Sequence, residues 1–385
     1  MKIDLQIISS GYDRKTCWVH ARPAVIPGNP FKAIVTAQKL RLTGDDVFRE
    51  ICEFRSDDGG MTWGDPVSHA TTLGRKQHAD GSEEAICDFT PMWHAPSGRL
   101  LGTGLNALYK EDTQLPYPDC RSTAYSVYDQ DTRTWAQWQR LAHASGAAHF
   151  IEGAGCTQRV DLPNGDILLP TYIREKRDPA RPHETLHKST VMRCRFDGEV
   201  LTYLEHGTEL SLPGGRGLVE PSLISFNGRY FLTLRNNERG YVAISGDGLA
   251  FDEPRPWTFD DGEDLGNYNT QQHWVNCGGK LYLVYTRRGA NNDHIMRHRA
   301  PLFIAEVDTE KLNVIRSTEQ ILVPERGARL CNFGVAKISE NETWVSVAEW
   351  MQTKLPNPFD STICEGYGSD NSVYVAKIRT EAGGK

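Results

Sequence analysis

The residues best equipped for chemistry lie in NTQQHWV and in YTRRGANNDHIMRHRAPLF, which contain Gln272, His273, Arg287, Arg288, His294 and Arg299. Arginine forks grip carboxylates in a bidentate way, and glutamine and histidine suit sugar hydroxyls. The plainer reading is a solvated basic loop, but arginines and histidines interleaved with Gln, Asn and Trp make poor packing. A second group, in KQHADG and CDFTPMWHAPSG, holds His78, Asp88, Trp93 and His94. His94 stands just before a tight turn, so a turn-facing role competes with a catalytic one. Arg121, Gln158, Arg159, Tyr172 and Arg174 form a third group at strand starts or ends. Glu220 in VEPSL and Arg235 in TLRNN form a fourth, and a buried glutamate there needs a partner. The fifth is His20 with Arg22 in CWVHARPAVIPG, where an isolated histidine is more often structural than catalytic.

Several reaction classes lack sequence support. There is no GxSxG elbow, P-loop, HExxH or strand–GxGxxG–helix unit, so covalent serine chemistry, phosphoryl transfer and dinucleotide redox are not indicated. No cofactor is required. The net charge of −7 comes from interspersed acids and bases, which argues against a nucleic-acid partner. No apolar run is long enough to span a membrane. The nine cysteines are scattered singly without a CxxC pair, as expected for reduced, buried thiols. With no secretory leader in MKIDLQIISSGYDRKT, the expectation is a cytoplasmic protein; a secreted or periplasmic chain whose signal had been removed would read the same.

The elements that must position these side chains read as strands. NGDILLPTYI, NGRYFLTLRN, GGKLYLVYTR and ENETWVSVAEW each follow a Gly- or Asn-bearing turn, as the far arm of a hairpin does. STAYSVYD, STVMRCRFDG, YVAISGDG, LFIAEVD and SVYVAKI supply a further strand type. Units recur at roughly 50 to 70 residues, which predicts an all-β fold: a single β-propeller of four-stranded antiparallel blades, six or seven in number. One domain is expected over 1–385, closed by an N-terminal strand near 2–9 pairing with the C-terminal blade near 371–379. The stretch from Val67 to Ile86 is the place for a hidden extra blade or a loop.

SDDGGMTWGDP invites a calcium reading, yet Met61, Thr62 and Trp63 stand where an EF-hand loop needs further oxygen ligands. Ser56, Asp58, Gly60, Thr62 and Trp63 instead match S-x-D-x-G-x-T-W, the Asp box of sialidase-type propellers. Degenerate copies occur at Ser245 to Phe251 and at Tyr128 to Trp135. Asp accepts N–H bonds within its own turn and Gly takes a positive φ, so the box is expected to be structural.

With the Asp box, HARPAVIP, EPSL and TLRNN, the chain resembles the sialidase superfamily. That resemblance implies an arginine triad for a substrate carboxylate, supplied by Arg22, Arg235 and Arg287 or Arg288, with Glu220 as the glutamate of a Tyr/Glu nucleophile pair. CDFTPMWHAPSGRLLGTG, GCTQRVDLPNGDILLP, TRRGANNDHIMRHRAPLFIAEVD and NFGVAKISENETWVSVAEWMQ look like the L-rhamnosyl-α-1,4-D-glucuronate lyases and related α-L-rhamnosidases acting on arabinogalactan. This implies cleavage of a terminal sugar beside a uronic acid by β-elimination. A lyase must neutralise the uronate, remove the C5 proton and protonate the departing oxygen. Arg159, Arg235 and Arg288 are expected on the carboxylate, His94 and His273 as acid and base, and Tyr172 in reserve. Gln158, Gln272, Glu220, Arg121, Arg287, His294 and Arg299 are expected around the substrate. The hydrolase branch maps onto His20, and the resemblance also admits a structural calcium near the axis. The expected partner is an acidic oligosaccharide. Exo-glycoside hydrolysis and a non-catalytic glycan-binding propeller are the alternatives.

Overall fold

The computed structural model describes residues 1–42, 46–115, 121–143, 150–175 and 186–380. The chain divides into two compact units, Met1–Ser68 with Pro256–Lys385, and His69–Arg255.

The first unit holds three sheets. One runs Thr16–Ile26, Lys32–Arg41, Phe48–Ser56, Val67–Ser68 in chain order, each strand antiparallel to the last. A second begins His273–Cys277, Lys280–Tyr285, Leu302–Asp308, with Asn313–Val314 and Gln320–Val323 both paired to the last of these. The third is composite. Gly334–Ser339, Glu342–Trp350 and Val373–Arg379 are consecutive, and Lys2–Ser9 completes the sheet with Lys2 opposite Arg379 and Ser9 opposite Val373. Only Ser361–Gly366 is α-helical among the described residues, with the Asp360 carboxylate capping Thr362 N–H.

The second unit also holds three. Glu83–His94, Arg99–Lys110 and Thr123–Asp129 form a meander finished by Thr134–Trp135 and Gln139–Arg140. Phe150–Gly153 and Val160–Asp161 share the edge of Asp166–Glu175, followed by Lys188–Phe196 and Leu201–His206. Val219–Phe226, Arg229–Arg235, Gly240–Ser245 and the short Arg255–Pro256 make the last. Apolar layers fill the space between neighbouring sheets: Leu101, Tyr125, Ile167, Met192 and Phe196 in one, and Leu168, Val191, Leu223, Leu232 and Leu234 in the next. Burial of such side chains contributes about 2 kcal/mol each before conformational entropy is counted.

The expectation of six or seven blades is corrected. Five four-stranded blades are contiguous in sequence, and the remaining sheet is the composite one. The stretch Val67 to Ile86 builds no extra blade, because its Val67–Ser68 and Lys76–Gln77 are two-residue strands that only extend neighbouring sheets. The eight described cysteines are all buried free thiols, and Cys120 lies outside the described residues.

The Asp box is a closed turn. Asp58 accepts from Met61 N–H, Thr62 N–H and, at 2.6 Å, the Thr62 hydroxyl, while Ser56 Oγ donates to it at 2.8 Å. These donors hold the Asp58 carboxyl well below its ordinary range. Gly60, at φ 80°, is where the turn meets the Trp344 ring, since an added Cβ would lie 2.1 Å from that ring. Asp247 and Asp129 make the same kind of turn, accepting from Leu249 and Ala250 N–H and from Asp131 and Thr132 N–H.

Candidate functional site

Three of the strands that begin a blade carry the same defect. Register slips between Val19 and Arg22, between Cys87 and Thr90, and between Val219 and Ser222. Inside the slips, His20, Asp88 and Glu220 have φ of 56°, 53° and 48°. A bulge breaks the ladder and re-aims one side chain, and a left-handed non-glycine residue costs on the order of 1–2 kcal/mol. Cys156 adopts φ 59° where the blade edge of Asp166–Glu175 passes from Phe150–Gly153 to Val160–Asp161. Such strain clusters at functional sites.

In the second unit three of these residues meet a set of arginines. Arg235, at the end of its strand and 4% exposed, donates from Nη1 to Glu220 Oε1 at 2.5 Å. Burial works against the guanidinium charge, but Glu220 outweighs it and raises the Arg235 pKa; Cys156 and Tyr172 act in the same direction. Glu220 Oε2 has no hydrogen-bond partner among the described residues. The Cys156 thiol donates to Asp88 Oδ1 at 2.8 Å. Tyr172 lies edge-on to the His187 ring at 5.6 Å, with the Arg121 guanidinium 6.0 Å from the Tyr172 ring. Burial first, then the charges of Arg174, Arg121 and Arg216, push the His187 pKa down to about 4, so this imidazole is neutral at pH 7. Four guanidinium groups thus stand around Tyr172, His187 and Glu220, a pattern suited to a carboxylate.

The first unit gathers a separate cluster of Arg22, Arg299 and Arg329, all buried, along the segment Arg329 to Gly334. Arg22 donates to the Phe333 carbonyl at 3.2 Å and Arg299 to Asn332 Oδ1 at 3.3 Å and to the Asn269 carbonyl at 2.8 Å. Arg329 lies over the Trp350 ring at 3.6 Å, and His20 meets the same ring edge-on at 5.8 Å. Gly334 is required where the strands touch, since a Cβ there would lie 2.9 Å from Arg22 Cα.

The residues singled out from sequence are sorted by these positions. Tyr172, Glu220, Arg235 and Arg121 come together in the second unit, with Gln158 nearby, its N–H bonded to Ser222 Oγ at 3.2 Å. Arg159 does not join them: its three nitrogens bind Asp161, the Leu101 carbonyl and the Met92 carbonyl. His94 is taken up by the hairpin turn, with Nδ1 on Ser97 Oγ at 2.8 Å and Nε2 on the Gly165 carbonyl at 3.0 Å. In the first unit His273 packs edge-on to Phe333 at 5.0 Å and is 2% exposed, and burial with the Arg22 charge lowers its pKa to about 3. Gln272 bonds the Thr270 carbonyl at 2.7 Å. Arg287 forms a two-point ion pair with Glu319 at 2.8 and 2.7 Å, which Tyr285 also joins. Arg288 is exposed on the Tyr268 ring, and His294 pairs with Glu325 at 3.2 Å while stacking on Tyr367. Sequence reasoning missed His187, Arg216, Cys156 and Arg329, which carry no local motif. Among the described residues no group of three or more His, Cys, Asp or Glu side chains is placed to hold a metal, so the calcium implied by resemblance finds no such ligand set there. No described helix is long and apolar enough to cross a membrane.

The sequence matches no protein-family model and no curated protein. Solved structures do match. The NanB sialidase of Streptococcus pneumoniae superposes with a TM-score of 0.61 at 10% identity, over 97% of this chain and 70% of that one. The Trypanosoma rangeli sialidase in complex with the inhibitor DANA gives 0.59 at 13% identity, over 94% of this chain but 55% of the sialidase. This is a sialidase-like β-propeller fold. A Dyadobacter fermentans protein of unknown function shares the propeller over 98% of this chain and 99% of its own, with a TM-score of 0.59 and 12% identity. At these identities the likeness is one of fold, and the chain spans little more than half of the Trypanosoma enzyme. The comparisons do not support the specific relationship to rhamnosyl-glucuronate lyases and rhamnosidases.

Proposed function

We propose that this propeller is a glycoside hydrolase acting on a sugar that bears a carboxylate. The observation that carries this reading is the buried Arg235–Glu220 pair, with Glu220 Oε2 unpartnered among the described residues and Tyr172 within electrostatic reach of the same guanidinium. Arg121, Arg174 and Arg216 add positive charge around His187 to hold the substrate carboxylate. In the reaction, Glu220 Oε2 takes the phenolic proton as Tyr172 Oη attacks the anomeric carbon. Asp88, on the neighbouring blade, gives its proton to the departing glycosidic oxygen. Water then displaces the tyrosine, its proton passing to Asp88 while Glu220 returns the phenolic proton to Tyr172 Oη. The substrate is an acidic oligosaccharide, and fold alone does not supply this reading.

Elimination is not carried forward as the preferred chemistry. Its two expected histidines are engaged in a turn (His94) or buried and held neutral far below pH 7 (His273). The test is a panel of carboxylated glycosides, including sialosides, glucuronides and a rhamnosyl-glucuronate disaccharide, with wild type, Glu220→Gln and Arg235→Met. Release of reducing sugar by wild type, falling at least 100-fold in Glu220→Gln, supports hydrolysis. An unsaturated uronate product would replace the reading with elimination. Binding without turnover would make the chain a glycan-binding propeller.

A further inference from the structure

The strained thiol in the second unit has no role in the reaction as written, yet it touches the proton donor. Cys156 is fully buried, sits at φ 59°, and reaches Asp88 twice. Its Sγ–H donates to Asp88 Oδ1 at 2.8 Å, and its N–H donates to the Asp88 carbonyl at 3.3 Å. Gly155 makes this approach feasible, since a Cβ there would lie 2.3 Å from Leu105 Cδ2 and 3.0 Å from Asp88 Cβ. Both partners hold left-handed backbone, so two residues 68 apart in sequence each bear strain that directs their side chains at one another. A cysteine placed merely to fill space needs neither the conformation nor the contact. On its other side Cys156 lies within electrostatic reach of Arg235, which in turn binds Glu220. The order Asp88–Cys156–Arg235–Glu220 links three successive blades through one thiol.

We infer that Cys156 is a positioning residue: its thiol, bonded to Oδ1, fixes the orientation of the Asp88 carboxyl group. The inference rests on the hydrolase reading for what Asp88 does, but the thiol–carboxylate contact is testable without a substrate. A hydrogen bond that favours the ionised carboxylate is worth about one pH unit in its titration midpoint. The charged and titratable groups around this couple include Arg235, Glu220 and Tyr172, all unchanged by substitutions at Cys156.

The experiment follows the Asp88 carboxyl carbon by NMR titration in wild type, Cys156→Ala and Cys156→Ser, with Asp88→Asn assigning the signal. Circular dichroism checks that each variant is folded. The expected result is a midpoint about one unit higher in Cys156→Ala, restored in Cys156→Ser, whose hydroxyl still donates. On a cleaved substrate, kcat falls about tenfold in Cys156→Ala at unchanged KM and recovers in Cys156→Ser. Coincident titrations in wild type and Cys156→Ala overturn the inference, and so does a serine variant that behaves like alanine. If the titration shifts as expected but Asp88→Asn cleaves as fast as wild type, the positioning contact stands and the assignment of Asp88 as proton donor falls.

Discussion

His273 offers a quantitative test of how the buried arginine cluster of the first unit behaves. Burial and the Arg22 charge hold its pKa at about 3, against 6.5 for a free imidazole, so the unfolded chain binds a proton between these values that the folded protein does not. The sign follows: stability rises with pH where the unfolded state binds more protons, so this contribution is complete above pH 6.5 and is lost as pH falls toward 3. Each pH unit inside the window is worth about 1.4 kcal/mol. Going from pH 6.5, where the unfolded group is half protonated, to pH 4.5 therefore removes about 2 kcal/mol on this account. His273→Gln keeps a hydrogen-bond donor near the Phe333 backbone and cannot titrate. Urea denaturation of wild type and variant at the two pH values isolates the effect, because His187 and the carboxylates are common to both. The variant is expected to be less stable at pH 6.5, yet to lose about 2 kcal/mol less than wild type on acidification. Equal losses would refute the reasoning, since His273 would then be charged in the fold and free to act as an acid–base group.

Gly60→Ala forces a Cβ to within 2.1 Å of the Trp344 ring at φ 80°, and thermal denaturation is expected to fall by several degrees, the equivalent of about 2 kcal/mol. Asp58→Ala removes the acceptor of the Asp-box turn and should lower the melting temperature while leaving glycoside turnover unchanged. Because Asp58 is held below its ordinary pKa, its stabilisation in wild type is present above the unfolded value and fades as pH falls below it; the alanine variant should lack that acid-limb loss in a pH series of melts. Arg287→Ala leaves Glu319 beside Tyr285 without its ion-pair partner and should cost about 2 kcal/mol in urea denaturation, with kcat/KM unaltered.

What could be read from the chain was what the chain determines locally. Ser56 and Thr62 both bond Asp58 within a span of seven positions, so their spacing alone announces the turn. Hairpins such as Lys280–Tyr285 after its Gly-Gly turn are equally local. The candidate site is not. Arg159 is expected on a substrate carboxylate, but its carbonyl partners Leu101 and Met92 are 58 and 67 residues away. Asp88 and Cys156 are brought together only by blade packing, and no residue pattern marks the left-handed bulges at Asp88 and Glu220. Histidines misled for a related reason: the sequence shows an imidazole at positions 94 and 273, but only its surroundings decide whether it titrates near neutrality.

The N-terminal strand of the composite sheet bears on the order of folding. Blades such as Thr16–Ile26 to Phe48–Ser56 are assembled from neighbours and need little chain to be released before they pair. The composite sheet instead joins Lys2–Ser9 to Val373–Arg379, so its last ladder waits until Arg379 has left the ribosome. Until then Lys2–Ser9 lacks its ladder partner and is open to a strand from another molecule. The same ladder is the place where a synthetic peptide of the Lys2–Ser9 sequence would complement a chain lacking it in trans.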